Sequence, residues 1–273
     1  MPETTVVQVT TAGGADAELA ADALWAAGAV AIEERAAAGG VVLIAATDRA
    51  DRGAPGVRPL LDAVAGRWPA EAVAVDVDAA LDAWRPYAQP VAVGRFVVRP
   101  PWIPPNARSG IEVVIDPGRA FGSGSHASTR LALEALGDAV GEGDRVLDVG
   151  CGSGVLAIAA LVAGAAEAVG VDTEPEALAA TRANAARNGV ADRLTVAGSV
   201  PAGGFDLAVA NMLAPTLIEL APTITGALRP GGRLVLAGLL ASQRADVLAA
   251  YRDLHVTSTH GEADWLALSG GIP

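Results

Sequence analysis

The stretch Val146-Leu147-Asp148-Val149-Gly150-Cys151-Gly152-Ser153-Gly154 runs an apolar segment into a turn with three glycines, the way a strand passes into a helix around a bound nucleoside. A dinucleotide fingerprint needs glycine at the sixth position of G-x-G-x-x-G. Counted from Gly150, that position is Val155, and the spacing present is G-x-G-x-G. It favours S-adenosylmethionine over NAD. A second apolar run ends Val169-Gly170-Val171-Asp172, which puts a carboxylate about twenty residues past the turn, where it can accept both hydroxyls of a ribose. Two readings of Asp148 stay open: it orients the turn or the ligand's ammonium group, or it is a plain helix-facing carboxylate. Cys151 sits inside the tight turn with no histidine nearby in sequence, so it is read as packing and not as a nucleophile.

Upstream, Asp116-Pro117-Gly118-Arg119-Ala120-Phe121-Gly122-Ser123-Gly124-Ser125-His126-Ala127-Ser128-Thr129 is polar and glycine-rich just before a helical run. A plain loop needs only a helix cap there, for which Ser128 or Ser125 would serve. That reading leaves Phe121, the glycines and His126 without a task; a flexible lid over the cofactor employs more of them. Phe121 would pack on the adenine or sulfonium region, and Thr129 would offer its hydroxyl to the methionine end. His126 has two open roles, catalytic base and loop-ordering hydrogen-bond donor. Further on, Asp206-Leu207-Ala208-Val209-Ala210-Asn211 ends an apolar run in an amide, at the strand end that borders the cofactor cleft. Methyl transfer to nitrogen needs a neutral amine with its lone pair aimed at the sulfonium methyl, and the Asn211 carbonyl can hold one N–H in that geometry. The alternative task for Asn211 is a helix N-cap. The expected catalytic residues are Asn211 and His126. The expected cofactor contacts are Phe121, Thr129, Asp148, Gly150, Gly152, Gly154, Asp172 and Asn211, and no metal site is expected.

These residues need a scaffold. The chain opens with a strand at Thr5–Thr10 and a helix at Asp16–Ala27 with Leu19, Ala23, Leu24 and Ala27 on one face. Strands at Ala29–Glu34 and Val41–Ala46, turned by residues 38–40, precede a helix at Val57–Trp68 and a strand at Ala72–Val77. The order βαββαβ is that of a ferredoxin-like sandwich. Between Trp84 and Pro117, seven prolines (Pro86, Pro90, Pro100, Pro101, Pro104, Pro105, Pro117) punctuate short apolar runs such as Phe96–Val98, which reads as a semi-rigid connector plus an edge strand at Ile111–Ile115. After it, a helix at Ser128–Val140 leads into regular alternation. Strands are expected at Arg145–Val149, Ala168–Val171, Leu194–Ala197, Leu207–Ala210 and Arg233–Ala237. Helices are expected at Val155–Ala163, Glu176–Asn188, Ala214–Leu228 and Ser242–Tyr251, with a turn at residues 229–232. Such alternation means a doubly wound sheet, and the closing strands near His255–Thr259 and Trp265–Leu268 should form an antiparallel pair at one edge. The expected division is 1–80, 81–117 and 118–273.

With 273 residues, about half of them apolar and 18% charged, the chain can bury sizeable cores, though aromatic residues make only 4% of it. All nineteen basic residues are Arg, a bias that GC-rich coding explains without function. The net charge of −12 argues against non-specific nucleic-acid binding and suits a cationic partner. The residues through Pro86 hold thirteen acids against six Arg, a net of −7. One cysteine excludes an internal disulfide framework, and the N-terminus MPETTVVQVT lacks a basic start and an apolar signal core, which together point to a cytoplasmic protein without a membrane segment.

Three stretches, DPGRAFGSGSHASTRLALEAL, VLDVGCGSGVLAIAALVAGAAEAVGVD and VANMLAPTLIELAP, together resemble the ribosomal protein L-eleven (L11) methyltransferase family (PrmA family). The likeness covers nearly all of residues 80–273, while the N-terminal part shares mainly ALWAAGAVAIEE and the βαββαβ order. It implies an α/β fold: a Rossmann-like, doubly wound, seven-stranded methyltransferase domain after a small ferredoxin-like α+β domain that recognises the substrate. It further implies S-adenosyl-L-methionine as cofactor. Methyl groups would go to lysine ε-amines and an N-terminal α-amine of a basic ribosomal protein. The missing basic patch speaks against direct nucleic-acid contact, and a monomer is the expectation for an oligomeric state that the sequence does not fix. Thr129, Gly150, Asp172 and Asn211 would contact the cofactor, with Phe121 and His126 in the loop beside them. Ser123, Ser125 and Ser128 stand where the family often has Thr, which keeps the hydroxyls and loses methyl packing. The rival readings are a methyltransferase of another protein, RNA or a small molecule, and a non-catalytic nucleoside-binding interaction protein.

Overall fold

Thr5, Val7, Val9 and Thr11 are buried along one face of strand β1 (Glu3–Thr11), the period of two that a half-buried strand requires. The computed structural model describes residues 3–29, 31–37, 40–47, 54–76, 89–105, 110–116 and 126–273. They fall into two units, Met1–Tyr87 and Ala88–Pro273. In the first, β1 is followed by α1 (Gly14–Ala26), β2 (Ala31–Ala37), β3 (Gly40–Ala46), α2 (Ala54–Val64) and β4 (Ala70–Asp76). The strands pair antiparallel in the order β2-β3-β1-β4, the ferredoxin-like arrangement expected from βαββαβ. Its core sets Val7, Val9, Leu43 and Ala45 of the sheet against Ala17, Ala20 and Leu24 of α1 and Val57, Leu60 and Val64 of α2. Leu19 departs from expectation. The buried stripe of α1 runs through Ala17, Ala20 and Leu24, whose small alanines let the helix approach the sheet, and Leu19 is turned out with 48% of its surface exposed.

The second unit begins with a small sheet of β5 (Val91–Val93), β6 (Phe96–Arg99) and β7 (Ile111–Val114), β5 antiparallel and β7 parallel to β6. The proline-rich stretch therefore carries more structure than a connector needs. Phe96, Val98, Val113 and Ile115 share one core with helix α3 (Ala127–Ala139), and Arg95 donates to Gly137 O (3.2 Å) and Ala163 O (2.9 Å) at helix C-termini.

After α3 come β8 (Arg145–Val149), α4 (Val155–Val162), β9 (Glu167–Val171), α5 (Pro175–Arg187), β10 (Leu194–Ala197), β11 (Phe205–Asn211) and α6 (Ala214–Ala227). The chain closes with β12 (Leu228–Leu240), a 3-10 turn at Ala241–Gln243, α7 (Arg244–Ala250), β13 (His255–Glu262) and β14 (Trp265–Gly271). The seven strands lie in the order β10-β9-β8-β11-β12-β14-β13, and the last strand enters antiparallel between β12 and β13. Both faces are covered. Val146 and Val209 join the core under α3 and α4, while Leu147 and Ala210 join the core under α6 and α7. Residues 229–232, expected as a turn, lie within β12 as an irregularity: the register with β11 jumps between Leu228 and Arg233.

The outer edge of β7 is finished by side chains. Asn188 accepts from Val114 N (2.8 Å) and donates to Val114 O (2.7 Å); Asn184 accepts from Asp116 N (3.0 Å) and donates to Asp116 O (2.9 Å). Two carboxamides one helical turn apart thus satisfy alternate residues of a strand edge, as a neighbouring strand would. Replacing Asn188 with Ala strands both groups of Val114 and should lower unfolding stability by about 1–3 kcal/mol; urea denaturation would measure it, and an unchanged midpoint would show that solvent replaces the amide.

Candidate functional site

In this sheet the strand order reverses between β8 and β11, and ligands of doubly wound sheets bind outside the carboxyl ends at that point. Gly150, Gly152 and Gly154 turn the chain there with φ of 75°, 53° and 81°, a left-handed backbone that side-chain-bearing residues seldom adopt. The turn is anchored on several sides. Gly150 N and Cys151 N both donate to Val171 O (2.8 and 3.0 Å), and Gly152 N donates to Asp172 Oδ2 (2.9 Å). From α5, Thr181 Oγ1 donates to Gly152 O and Asn184 Nδ2 to Ser153 O, each at 2.9 Å. Asp172 Oδ1 accepts from Glu174 N at 3.1 Å, and each carboxylate oxygen keeps further acceptor capacity.

Asp148 points from β8 under the start of α4, where Oδ2 accepts the N–H of Ala157 at 3.0 Å. The side chain is fully buried, and Oδ1 has no hydrogen-bond partner among the described residues. Burial pushes its pKa up to about 7; the Ala157 N–H pulls the other way, and the nearby charge of Asp172 adds to the rise. Cys151 is buried too, and its thiol is pushed up to about 12, mainly by burial and then by the charge of Asp148. It is inert at neutral pH, as its place in the turn suggests.

Asn211 is the last residue of β11, and its Nδ2 donates to Thr129 Oγ1 at 3.4 Å; Thr129 itself is buried in the first turn of α3. Asn211 is not a helix cap, since α6 is preceded by Leu213. The N-cap of α3 is His126, not Ser128: its Nδ1 accepts from Ser128 N at 3.2 Å and lies 2.8 Å from Ser128 Oγ. At that nitrogen the imidazole accepts from the backbone of its own helix. Its ring stands edge-on to Trp265 at 5.1 Å, and Arg130 pairs with Glu262, so the first turn of α3 is held against the β13–β14 hairpin. Phe121, Ser123, Ser125 and the lid expected around them lie outside the described residues, as does Gly118.

Asp148, Gly150, Gly152, Gly154, Asp172, Thr129 and Asn211 thus gather at the carboxyl ends of β8, β9 and β11 or just beyond them. Thr181 and Asn184 were not anticipated. Their signal was available: in Thr181-Arg182-Ala183-Asn184-Ala185-Ala186-Arg187-Asn188 the polar residues 181, 184 and 188 share the helix face that ought to be apolar.

The sheet order, with its antiparallel last strand, and the glycine turn at its switch point define a Rossmann-like methyltransferase domain. The profile of the family described as ribosomal protein L11 methyltransferase (PrmA) matches residues 70–271. The ribosomal protein L11 methyltransferase of Pseudomonas putida is 45% identical over 192 residues, 68% of this chain and 66% of that protein. Its counterpart from Ralstonia nicotianae is 44% identical over 187 residues, 68% of this chain and 63% of the relative. The match spans just under two thirds of these relatives' length. A crystal structure of ribosomal protein L11 methylase from Lactobacillus delbrueckii subsp. bulgaricus superposes with a TM-score of 0.60 at 29% identity, covering 67% of this chain and 97% of that one. The chain belongs to the ribosomal protein L11 methyltransferase (PrmA) family.

The raised pKa of Asp148 makes stability depend on pH in a definite sense. Between the ordinary carboxylate range and about 7 the folded state holds a proton that the unfolded chain has lost, so stability falls as pH rises through that window. Asp148→Asn abolishes this slope. Relative to the unsubstituted chain without cofactor, it should gain roughly 2–3 kcal/mol between pH 5 and pH 8. Parallel urea titrations at the two pH values test it, and a constant gap would mean that Asp148 stays ionised throughout.

Proposed function

We propose that this chain is an S-adenosylmethionine-dependent protein N-methyltransferase whose acceptors are lysine ε-amines and an N-terminal α-amine of ribosomal protein L11. The observation that carries this reading is the Asn211 carboxamide at the end of β11, joined to Thr129 at 3.4 Å on the strand beside the three-glycine turn. The residues present suit the cofactor: two carboxylates, Asp148 and Asp172, flank the turn, and one buried Asp148 oxygen has no partner among the described residues. S-adenosylmethionine carries two cationic centres, which such carboxylates favour. Asp172 would take the ribose hydroxyls, Asp148 and Thr129 the methionine end, and Phe121 the adenine or sulfonium region.

When bound, the cofactor supplies a methyl group already activated by the sulfonium charge. What remains for the protein is orientation and exclusion of water. The Asn211 Oδ1 holds one N–H of the deprotonated amine and so turns its lone pair toward the methyl. Positioning of this kind contributes up to about 7–11 kcal/mol in favourable cases. His126, whose Nδ1 caps α3, serves to hold Thr129 in place, and solvent takes the proton released by the amine. The small ferredoxin-like domain recognises the protein substrate, and its acidity suits a basic ribosomal protein. In this reading the enzyme works in the cytoplasm as a monomer and contacts neither nucleic acid nor membrane; no helix among the described residues is long and apolar enough to cross one.

Labelled S-adenosylmethionine with purified ribosomal proteins and RNA tests the reading: label is expected on amines of L11, and label on RNA or nowhere overturns it. Asp172→Ala should weaken S-adenosylmethionine binding at least tenfold by calorimetry, and an unchanged affinity would remove Asp172 from the site.

A further inference from the structure

Gly238 lies in β12 with φ of 82°, at a bulge where the register with β14 shifts between Ala237 and Leu239. A Cβ built on it would sit 2.5 Å from Met212 O, 2.9 Å from Met212 C and 2.9 Å from Asn211 Oδ1, all closer than real Cβ contacts come. Other glycines with positive φ, such as Gly66, Gly143 and Gly189, have nothing within 4 Å of the same point. Left-handed backbone is thus common to them, and crowding against the end of β11 belongs to Gly238. Nor can that end retreat. Met212 N donates to Ala237 O at 3.1 Å, Asn211 pairs in register with Ala237, and Met212 Sδ would stand 2.9 Å from a Cβ at Gly150 on the other side. Among the described residues the Asn211 side chain is held from one direction by a single long hydrogen bond, 3.4 Å to Thr129 Oγ1. From the other direction its Oδ1 comes within 2.9 Å of where a Cβ of Gly238 would stand, so it occupies space that only glycine leaves open.

We propose that Gly238 is a positioning residue: its lack of a Cβ sets where the Asn211 carbonyl oxygen lies, and so how the acceptor amine is presented. The role rests on the amine-methylation reading of Asn211. Any side chain at 238 would press on that oxygen and on the Met212 peptide, displacing the amide without touching the Asp172 end of the cleft.

The test is a double-mutant cycle between Gly238→Ala and Asn211→Ala, read in methyl transfer to L11 and in calorimetric affinity for S-adenosylmethionine. Gly238→Ala should lower kcat at least tenfold, leave cofactor affinity within twofold, and lower kcat less than twofold further in the Asn211→Ala background. The stability loss it causes, measured by urea, should also be smaller in that background, because one of the three atoms it collides with, Asn211 Oδ1, is gone while the clash with the Met212 carbonyl stays. Gly143→Ala imposes the same left-handed strain in open space and should leave kcat unchanged. If Gly238→Ala does not fold, Gly238→Asn tolerates positive φ while still carrying a Cβ, and the same outcomes are expected. An unchanged kcat, an equal loss in the Asn211→Ala background, or an equal loss from Gly143→Ala overturns the proposal. A wild-type kcat for Asn211→Ala overturns the reading of Asn211 itself, and that outcome is separate from the others.

Discussion

How closely three backbones can approach sets everything at the carboxyl edge of the large sheet. The turn after β8, the end of β11 and the bulge in β12 meet around Met212, with Gly150 on one side and Gly238 on the other. A side chain at Gly238 would press on the Met212 backbone and one at Gly150 on the Met212 side chain, in an interior where tenths of an ångström are resisted by close packing. The separation between the glycine turn and the Asn211 amide is therefore a property of main-chain geometry.

Within that frame, Asp148 is kept at a thermodynamic cost. A fully buried carboxylate whose Oδ1 has no partner among the described residues opposes folding when ionised, and the bond from Ala157 to its Oδ2 does not offset its desolvation. Chains tolerate such conflicts chiefly at functional sites. The same burial that strains Asp148 silences Cys151 beside it, so one apolar environment raises two groups, one of them toward physiological pH and the other out of reach.

The glycine turn and Asp172 were legible because their spacing is local and each residue type answers a local need. The βαββαβ order and the doubly wound alternation were legible from hydrophobic period alone. What escaped depends on what lies opposite. Leu19 fits an apolar helix face on paper, but the sheet sits across from Ala17, Ala20 and Leu24. The prolines around residues 86–117 hide two strands, β5 and β6, since Pro90 and Pro100 merely border them, whereas β7 lies where the edge strand at Ile111–Ile115 was expected. His126 took the cap that two serines seemed better suited to, because side chains other than Ser can accept an N2 hydrogen bond when the loop brings them there. Gly238 stands just past the strand expected at Arg233–Ala237, and only the neighbouring strand reveals why no larger residue stands there. The loop with Phe121 lies outside the described residues, and its part in the site rests on the sequence.

The asparagines of α5 have a consequence beyond satisfying hydrogen bonds. A three-stranded sheet with an exposed border offers a template on which another chain could lay a strand and begin aggregation. By placing Asn184 and Asn188 along β7, the helix occupies that border with side chains that cannot themselves be extended into a further strand. Unlike edge lysines, which this lysine-free chain lacks, the two carboxamides close the border without adding charge, and so leave the acidic surface of the protein free to serve other purposes.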